Sequence, residues 1–272
     1  TNVEPDHLNF FGTPEAYCQV FADFLDCIDP AGSLIVCVDD PGSHTLALYA
    51  VQKGIRVLGY GTAAAAAQAQ RDGIPMAGGL EAWEPTLDGL VARIHLAGDD
   101  SPRELVLPVP GEHMALNALA ALIAVRDYGG DVSEALEALT HFGGVNRRFQ
   151  YHGHVGGIRV YDDYAHHPTE ARAVLTAARE VADADAQGLG HPGRVIVCFQ
   201  PHLFSRTEQF AEEFAKALDL ADYAIVLDIY GAREKPIPGV TSELITTQLT
   251  IPHKYQPDFS KVPYDVAAIA EP

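Results

Sequence analysis

From Gly157 onward the chain alternates apolar, strand-like runs with amphipathic ones: "GIRVYDD", "PTEARAVLTAAREVADA", "RVIVCFQ", "TEQFAEEFAKALDLA" and "YAIVLDIY". Nothing else in the sequence narrows the fold as far. In the first helical run Ala171, Val174, Leu175, Ala178, Val181 and Ala182 recur at helical spacing, and Phe210, Phe214, Ala217 and Leu218 do so in the second. Each helix has one apolar face to bury, and strands separated by such helices pair in parallel through right-handed crossovers. The fold class is therefore α/β, with a mostly parallel sheet.

The first half shows the same rhythm. "SLIVCVDDPGSHTLALYAVQKGIRVLGYG" reads as a βαβ unit with its helix opened near Pro41. Helices are expected over "PEAYCQVFADFLDCI" and the alanine-rich "TAAAAAQAQ". "RDGIPMAGGLEAWEPTLDGLVARIHLAG" is less regular and suits edge strands. "GEHMALNALAALIAVRDYGG" is apolar on nearly every side and reads as a buried helix stopped by Gly129 and Gly130. "DVSEALEALTHF" reads as a further helix with Ser133 at its N-cap. The Gly-rich "GGVNRRFQYHGHVGG" marks a boundary, which divides the chain into 1–148 and 149–272. The second part is expected to stop short of its natural end, because "VPYDVAAIAEP" ends just after a helical pattern.

Charge and cysteine content exclude several classes. A formal charge of -19 disfavours nucleic acid and anionic membranes, whose contacts need clustered Lys and Arg. An anionic ligand must be met by local basic groups. The cysteines Cys18, Cys27, Cys37 and Cys198 form no C-x-x-C pair and read as buried free thiols in a reducing, cytoplasmic setting. No apolar run is long enough to insert into a bilayer.

In open parallel sheets ligands bind beyond the carboxyl ends of the strands. After "GIRVY" come Asp162, Asp163, Tyr164, His166 and His167; after "RVIVCF" come Gln200, His202, Ser205 and Arg206; after "YAIVLD" come Tyr230, Arg233, Glu234 and Lys235. These three loops are expected to share one sheet edge, while "QGLGHPG" and "LDLAD" at the other end carry little chemistry. Some of these residues have plain structural readings. Pro168 suits a first helical position, and Ser205 with Glu208 would make a capping box. Capping leaves His202 and Arg206 unexplained, and an arginine at a helix start suits phosphate or carboxylate. Three readings remain: a metal-dependent hydrolase gathering Asp162, Asp163, His166 and His167; a ligase or kinase-like enzyme using arginines on a transferring phosphate; and a non-catalytic nucleotide-binding module.

"YDDYAHHPTE" followed by "FQPHLFSRT" resembles the C-terminal domain of the Mur ligases, and "TNVEPDHL", "GEHMALNALAAL" and "GGVNRRF" are similar, in order, to the family's metal-proximal loop, adenine-side helix and interdomain hinge. The resemblance implies the back part of a central ATPase domain followed by a Rossmann-like C-terminal domain. It implies a ligase of peptidoglycan precursor synthesis that uses ATP and Mg2+ to join L-alanine to UDP-N-acetylmuramate through an acyl phosphate; a relative that adds a preformed tripeptide is the near alternative. It also implies roles. His7 would lie beside magnesium. Asn117 and His113 would meet adenine, although Met114 stands where many relatives have Asn. Arg148 and Arg147 would reach ATP phosphate, and Asp163 would fix the nucleotide or its loop. Tyr164 and His167 would line the substrate, with His166, His202 and Arg206 at the reacting groups. The chain departs from the family in having no G-x-x-x-x-G-K-[ST]: Lys53 precedes Gly54, the wrong order. That loop and the UDP-binding domain are expected upstream of Thr1.

Overall fold

The computed structural model describes residues 2–86, 89–186 and 193–270. The chain divides into two compact units, Thr1–Gly143 and Gly144–Pro272, a few residues upstream of the change expected after Arg148.

The first unit opens with α1 (Leu8–Phe11) and α2 (Pro14–Leu25), and continues as β1 (Ser33–Cys37), α3 (Pro41–Gln52), β2 (Arg56–Thr62), α4 (Ala63–Arg71), β3 (Met76–Thr86), β4 (Gly89–Leu96), β5 (Arg103–Leu107), α5 (Glu112–Asp127) and α6 (Val132–Leu139). Its strands form one sheet in the order β1-β2-β3-β4-β5. β1, β2 and β3 run parallel, and β3, β4 and β5 are antiparallel neighbours. The irregular stretch is thus a long hairpin and not a set of edge strands, and β5 goes unanticipated. Alternation along β1 explains the layering: Leu34, Val36 and Val38 enter a core with Ala47, Ala50 and Ala69, whereas Cys37 enters a second core with Leu119, Leu122 and Ile123 of α5. Helices therefore cover both faces. α5 is buried along one side only, at Ala115, Ala118, Leu119, Leu122 and Ile123, which corrects the expectation of an all-round buried helix.

The helix starts follow local chemistry. Thr13, Asp40 and Thr62 cap α2, α3 and α4. α6 is capped by Asp131, whose carboxylate accepts the amides of Ser133 and Glu134. Ser133 instead accepts from Arg103 at 3.2 Å, so its assignment as the cap is corrected. Asp99 binds Arg103 and Arg126, each at 2.6 Å. Hydrogen bonding from Arg103, and then from Arg126, holds the Asp99 carboxyl below its ordinary value of 3.8 against the opposing effect of burial. A depressed folded value means stability that is present above the unfolded value and is lost as pH falls through the folded one. Asp99→Asn is expected to cost roughly 1 kcal/mol at neutral pH. The difference from wild type should shrink below the ordinary carboxylate range, as read by denaturant melts across pH.

The second unit contains β6 (Gln150–Val155), β7 (Ile158–Asp162), α7 (Pro168–Ala186), β8 (Ile196–Phe199), α8 (Phe204–Leu218), β9 (Tyr223–Val226), α9 (Glu243–Thr246), β10 (His253–Tyr255) and α10 (Val262–Ile269). β8 and β9 pair in parallel as expected, and β10, which the sequence analysis does not anticipate, completes the sheet in the order β10-β9-β8. β7 does not join it. Gly156 and Gly157, at φ 56° and 81°, make a tight turn that folds β6 back antiparallel onto β7 as a separate ribbon. α7 spans the two pieces. It packs Ala177 and Val181 on Phe149 beside the ribbon, and Leu175 into the sheet core with Phe214 and Leu218 of α8. Val262 of α10 packs with Ile225 of β9 and with Leu227 just beyond that strand. The loop "QGLGHPG" lies almost wholly outside the described residues, as do Thr1, Glu271 and Pro272.

Of the cysteines, Cys37 is buried and Cys18, Cys27 and Cys198 are exposed, which corrects the expectation of buried thiols for those three. Among the described residues no helix is long and apolar enough to cross a membrane.

Candidate active site

In the second unit the loops after β7, β8 and β9 converge, although β7 lies outside the parallel sheet. Arg147 stacks its guanidinium 4.6 Å over the ring of Tyr164. Tyr164 meets the edge of His166 at 5.2 Å between ring centroids, and His166 meets His202 at 6.2 Å. His202 stacks on Tyr230 at 5.8 Å and lies 3.2 Å, Nδ1 to Nη1, from Arg206. A continuous run of side chains thus links Arg147 to Tyr230.

The hydrogen-bond partners say what the Nδ1 atom of each histidine does. Arginine can only donate, so Nδ1 of His202 accepts and the ring is neutral with its proton on Nε2. A carbonyl can only accept, so Nδ1 of His166, 3.0 Å from the Tyr164 oxygen, carries a proton. In its neutral form His166 keeps a lone pair on Nε2, and its ring meets that of His202 edge to face. Arg206 is only 4% exposed, in the first turn of α8, and a buried guanidinium stays charged.

Glu170, in the first turn of α7, is a site residue that the sequence analysis does not name. Its Oε2 accepts the amides of His166 at 2.9 Å and His167 at 3.3 Å, and lies 3.3 Å from His166 Nδ1. Its Oε1 is 3.8 Å from Arg148. An acid at the third helical position, reaching back over Pro168, is the signal that could have identified it.

Asp163 binds the chain itself. One oxygen accepts the amide of Phe149 at 2.7 Å and the other that of Ala165 at 2.7 Å. His167 packs its ring on Phe210 of α8 at 5.1 Å. Asp162 sits 3.4 Å from Arg147. Asp162, Asp163, His166 and His167 therefore point to different partners, and no group of three or more metal-binding side chains occurs among the described residues. The hydrolase reading loses its cage. The proposed capping box also fails, because Ser205 bonds to Glu234 through both its amide, 3.0 Å, and its hydroxyl, 2.5 Å.

In the first unit, Asn117 is exposed on α5 and His113 is half-buried one turn earlier. Met114 packs against the sheet core. His7 caps α1 at φ 52°, with its ring 3.6 Å from Asp6. The segment leading to it is pinned to α3. The Val3 amide donates to Asp40 at 2.8 Å, and a Cβ at Gly42 would meet the Val3 oxygen at 1.9 Å, so only glycine admits this approach. His7 and Asp6 are too few donors to hold a divalent ion unaided.

The Mur ligase middle domain matches residues 1–125, and the Mur ligase glutamate ligase domain matches residues 147–272. The chain is 53% identical to the UDP-N-acetylmuramate–L-alanine ligase of Rhodococcus jostii, over 100% of its own length and 56% of the relative's. It is 50% identical to that of Mycolicibacterium smegmatis, over 99% and 53%. The chain thus spans about half the length of the curated relatives it matches. Among solved structures it resembles the UDP-N-acetylmuramate–alanine ligase MurC of Thermotoga maritima, with TM-score 0.67 and 26% identity over 95% of this chain and 50% of that one. It shares its fold with the MurF ligase of the same organism in complex with ADP, TM-score 0.70 and 20% identity over 99% and 55%.

Proposed function

The chain belongs to the Mur ligase family, and on that premise we propose that it forms part of an ATP-dependent ligase joining L-alanine to UDP-N-acetylmuramate, a step of peptidoglycan precursor synthesis in the cytoplasm. The observation that carries the reading is the run Arg147–Tyr164–His166–His202–Arg206, with its adjoining histidines and buried cation. Relatives about half identical along this whole chain support the choice of substrates.

The chemistry asks for these parts. An oxygen of the substrate carboxylate attacks the γ-phosphorus of ATP, and ADP leaves. The amine of L-alanine then adds to the carbonyl carbon of the acyl phosphate, an oxyanion forms, and its collapse expels inorganic phosphate. Arg206 and the Nε2 proton of His202 are suited to the negative charge that develops on the carbonyl and phosphate oxygens. The Nε2 lone pair of His166 is suited to accept the proton that the amine loses. Tyr164, held under Arg147, walls this site. Glu170 fixes the His166 ring, while Asp163 shapes the loop. Asn117, with its side chain open to solvent beside His113, is the candidate contact for the nucleotide base. Magnesium would neutralise the gathered phosphates, but His7 and Asp6 are too few donors to hold it unaided.

The reading is tested with a protein of the relatives' full length that contains this chain, supplied with UDP-N-acetylmuramate, ATP and either L-alanine or a preformed tripeptide. Amide product with L-alanine supports the proposal. Product with the tripeptide alone would replace it by the recycling reaction.

A further inference from the structure

We propose that Glu234 is the positioning residue for the Arg206–His202 pair, acting through Ser205 at the start of α8; this rests on the role given to that pair above. α8 begins without a cap of its own. Its N-cap is Leu203, whose side chain cannot accept a hydrogen bond and whose φ of 72° is unusual for a residue with a Cβ. The acceptor comes from the loop after β9 instead. The Glu234 carboxylate takes the Ser205 amide at 3.0 Å and the Ser205 hydroxyl at 2.5 Å, and places a negative charge at the positive end of the helix.

The same two loops are joined at other points. Tyr230 donates its amide to the Pro201 oxygen at 2.8 Å, and Leu203 donates to the Tyr230 oxygen at 2.9 Å. Glu234 is itself held by a turn, its amide donating to Gly231 at 2.8 Å. Gly231 lies so close to α8 that a Cβ there would meet the Phe204 ring at 2.6 Å. Four ties to Leu203 and the first turn of α8 therefore come from the stretch Tyr230–Glu234: the Leu203 amide, the Phe204 ring, and the amide and hydroxyl of Ser205. His202 and Arg206 flank that turn. Their 3.2 Å contact, and with it the Nε2–H form of His202, depends on the turn being held in register. Glu234 touches neither residue and acts on both.

The test reads the His202 tautomer by 15N NMR in the full-length protein labelled at histidine, with His202→Gln to assign the signal. Wild type is expected to show Nδ1 unprotonated and Nε2 protonated. Glu234→Ala is expected to replace this with an averaged tautomer signal. Glu234→Gln, which keeps one oxygen for Ser205, is expected to restore the wild-type form, and Ser205→Ala to fall between. In parallel, kcat for the ligase reaction should fall about tenfold in Glu234→Ala while KM for ATP stays within about threefold, the pattern of a displaced reacting group. An unchanged His202 signal and unchanged kcat in Glu234→Ala would overturn the proposal. So would a lower melting temperature with the tautomer intact, since that marks a structural role alone. If the wild-type protein proves to have no ligase turnover, the functional reading falls, and the NMR arm decides this proposal by itself.

Discussion

Replacing Arg206 by alanine in the full-length ligase is expected to lower kcat/KM by about 10²-fold or more, the usual cost of deleting one preorganised donor to developing charge. From sequence alone this substitution is expected to keep the fold, because no core contact is lost. The structure corrects that. Arg206 is 4% exposed, so alanine leaves a void and removes the donor that fixes His202. Arg206→Lys separates the two effects. Lysine keeps the charge and much of the volume but lacks the planar fork that reaches His202. It should melt near wild type and still lose most of the activity. Both variants turning over at close to the wild-type rate would remove Arg206 from the site.

Asp163→Ala is expected to destabilise the second unit by roughly 2–4 kcal/mol, because two backbone amides lose their acceptor at once. Those amides belong to Phe149, buried and held at φ 47°, and to Ala165 in the loop that carries Tyr164 and His166. Removing the carboxylate therefore releases a strained residue and the loop carrying Tyr164 and His166 together. Asp163→Asn keeps one acceptor oxygen and should lose about half as much. Chemical denaturation measures both. A nucleotide-contacting Asp163 makes the opposite prediction: unchanged stability with a raised KM for ATP.

The parts legible in the sequence are those whose signal is local. The βαβ of the first unit, the alternation of β8, α8 and β9, and the apolar faces of α7 and α8 all follow from periodicity over a dozen residues or so. The crowding of chemistry into three loops is also legible, and the loops do converge. The misses divide by cause. Gly156-Gly157 between short β-prone runs is the signal for the ribbon of β6 and β7, but a Gly-rich stretch reads equally as a boundary or as a hairpin turn. β5 was hidden because its short run "RELVL" alternates too briefly to stand out. Asp131 lost to Ser133 as a cap because both residue types suit the position, and only the hydrogen bonds decide. The ties of Glu170 to Arg148 and of Glu234 to Ser205 join residues 22 and 29 positions apart, beyond any local pattern. Glu170 at least had a helix-start signal. Glu234 had none until the loops were seen together.

The most direct measurement follows an oxygen atom. UDP-N-acetylmuramate carrying 18O in its carboxylate is given to the full-length protein with ATP and L-alanine. If the carboxylate is phosphorylated before the amine attacks, one labelled oxygen must leave with the phosphate. The account predicts inorganic phosphate bearing one 18O for each amide formed, and no labelled phosphate when ATP is withheld. Amide formation with unlabelled phosphate, or phosphate release that needs neither the UDP-sugar nor L-alanine, would contradict it.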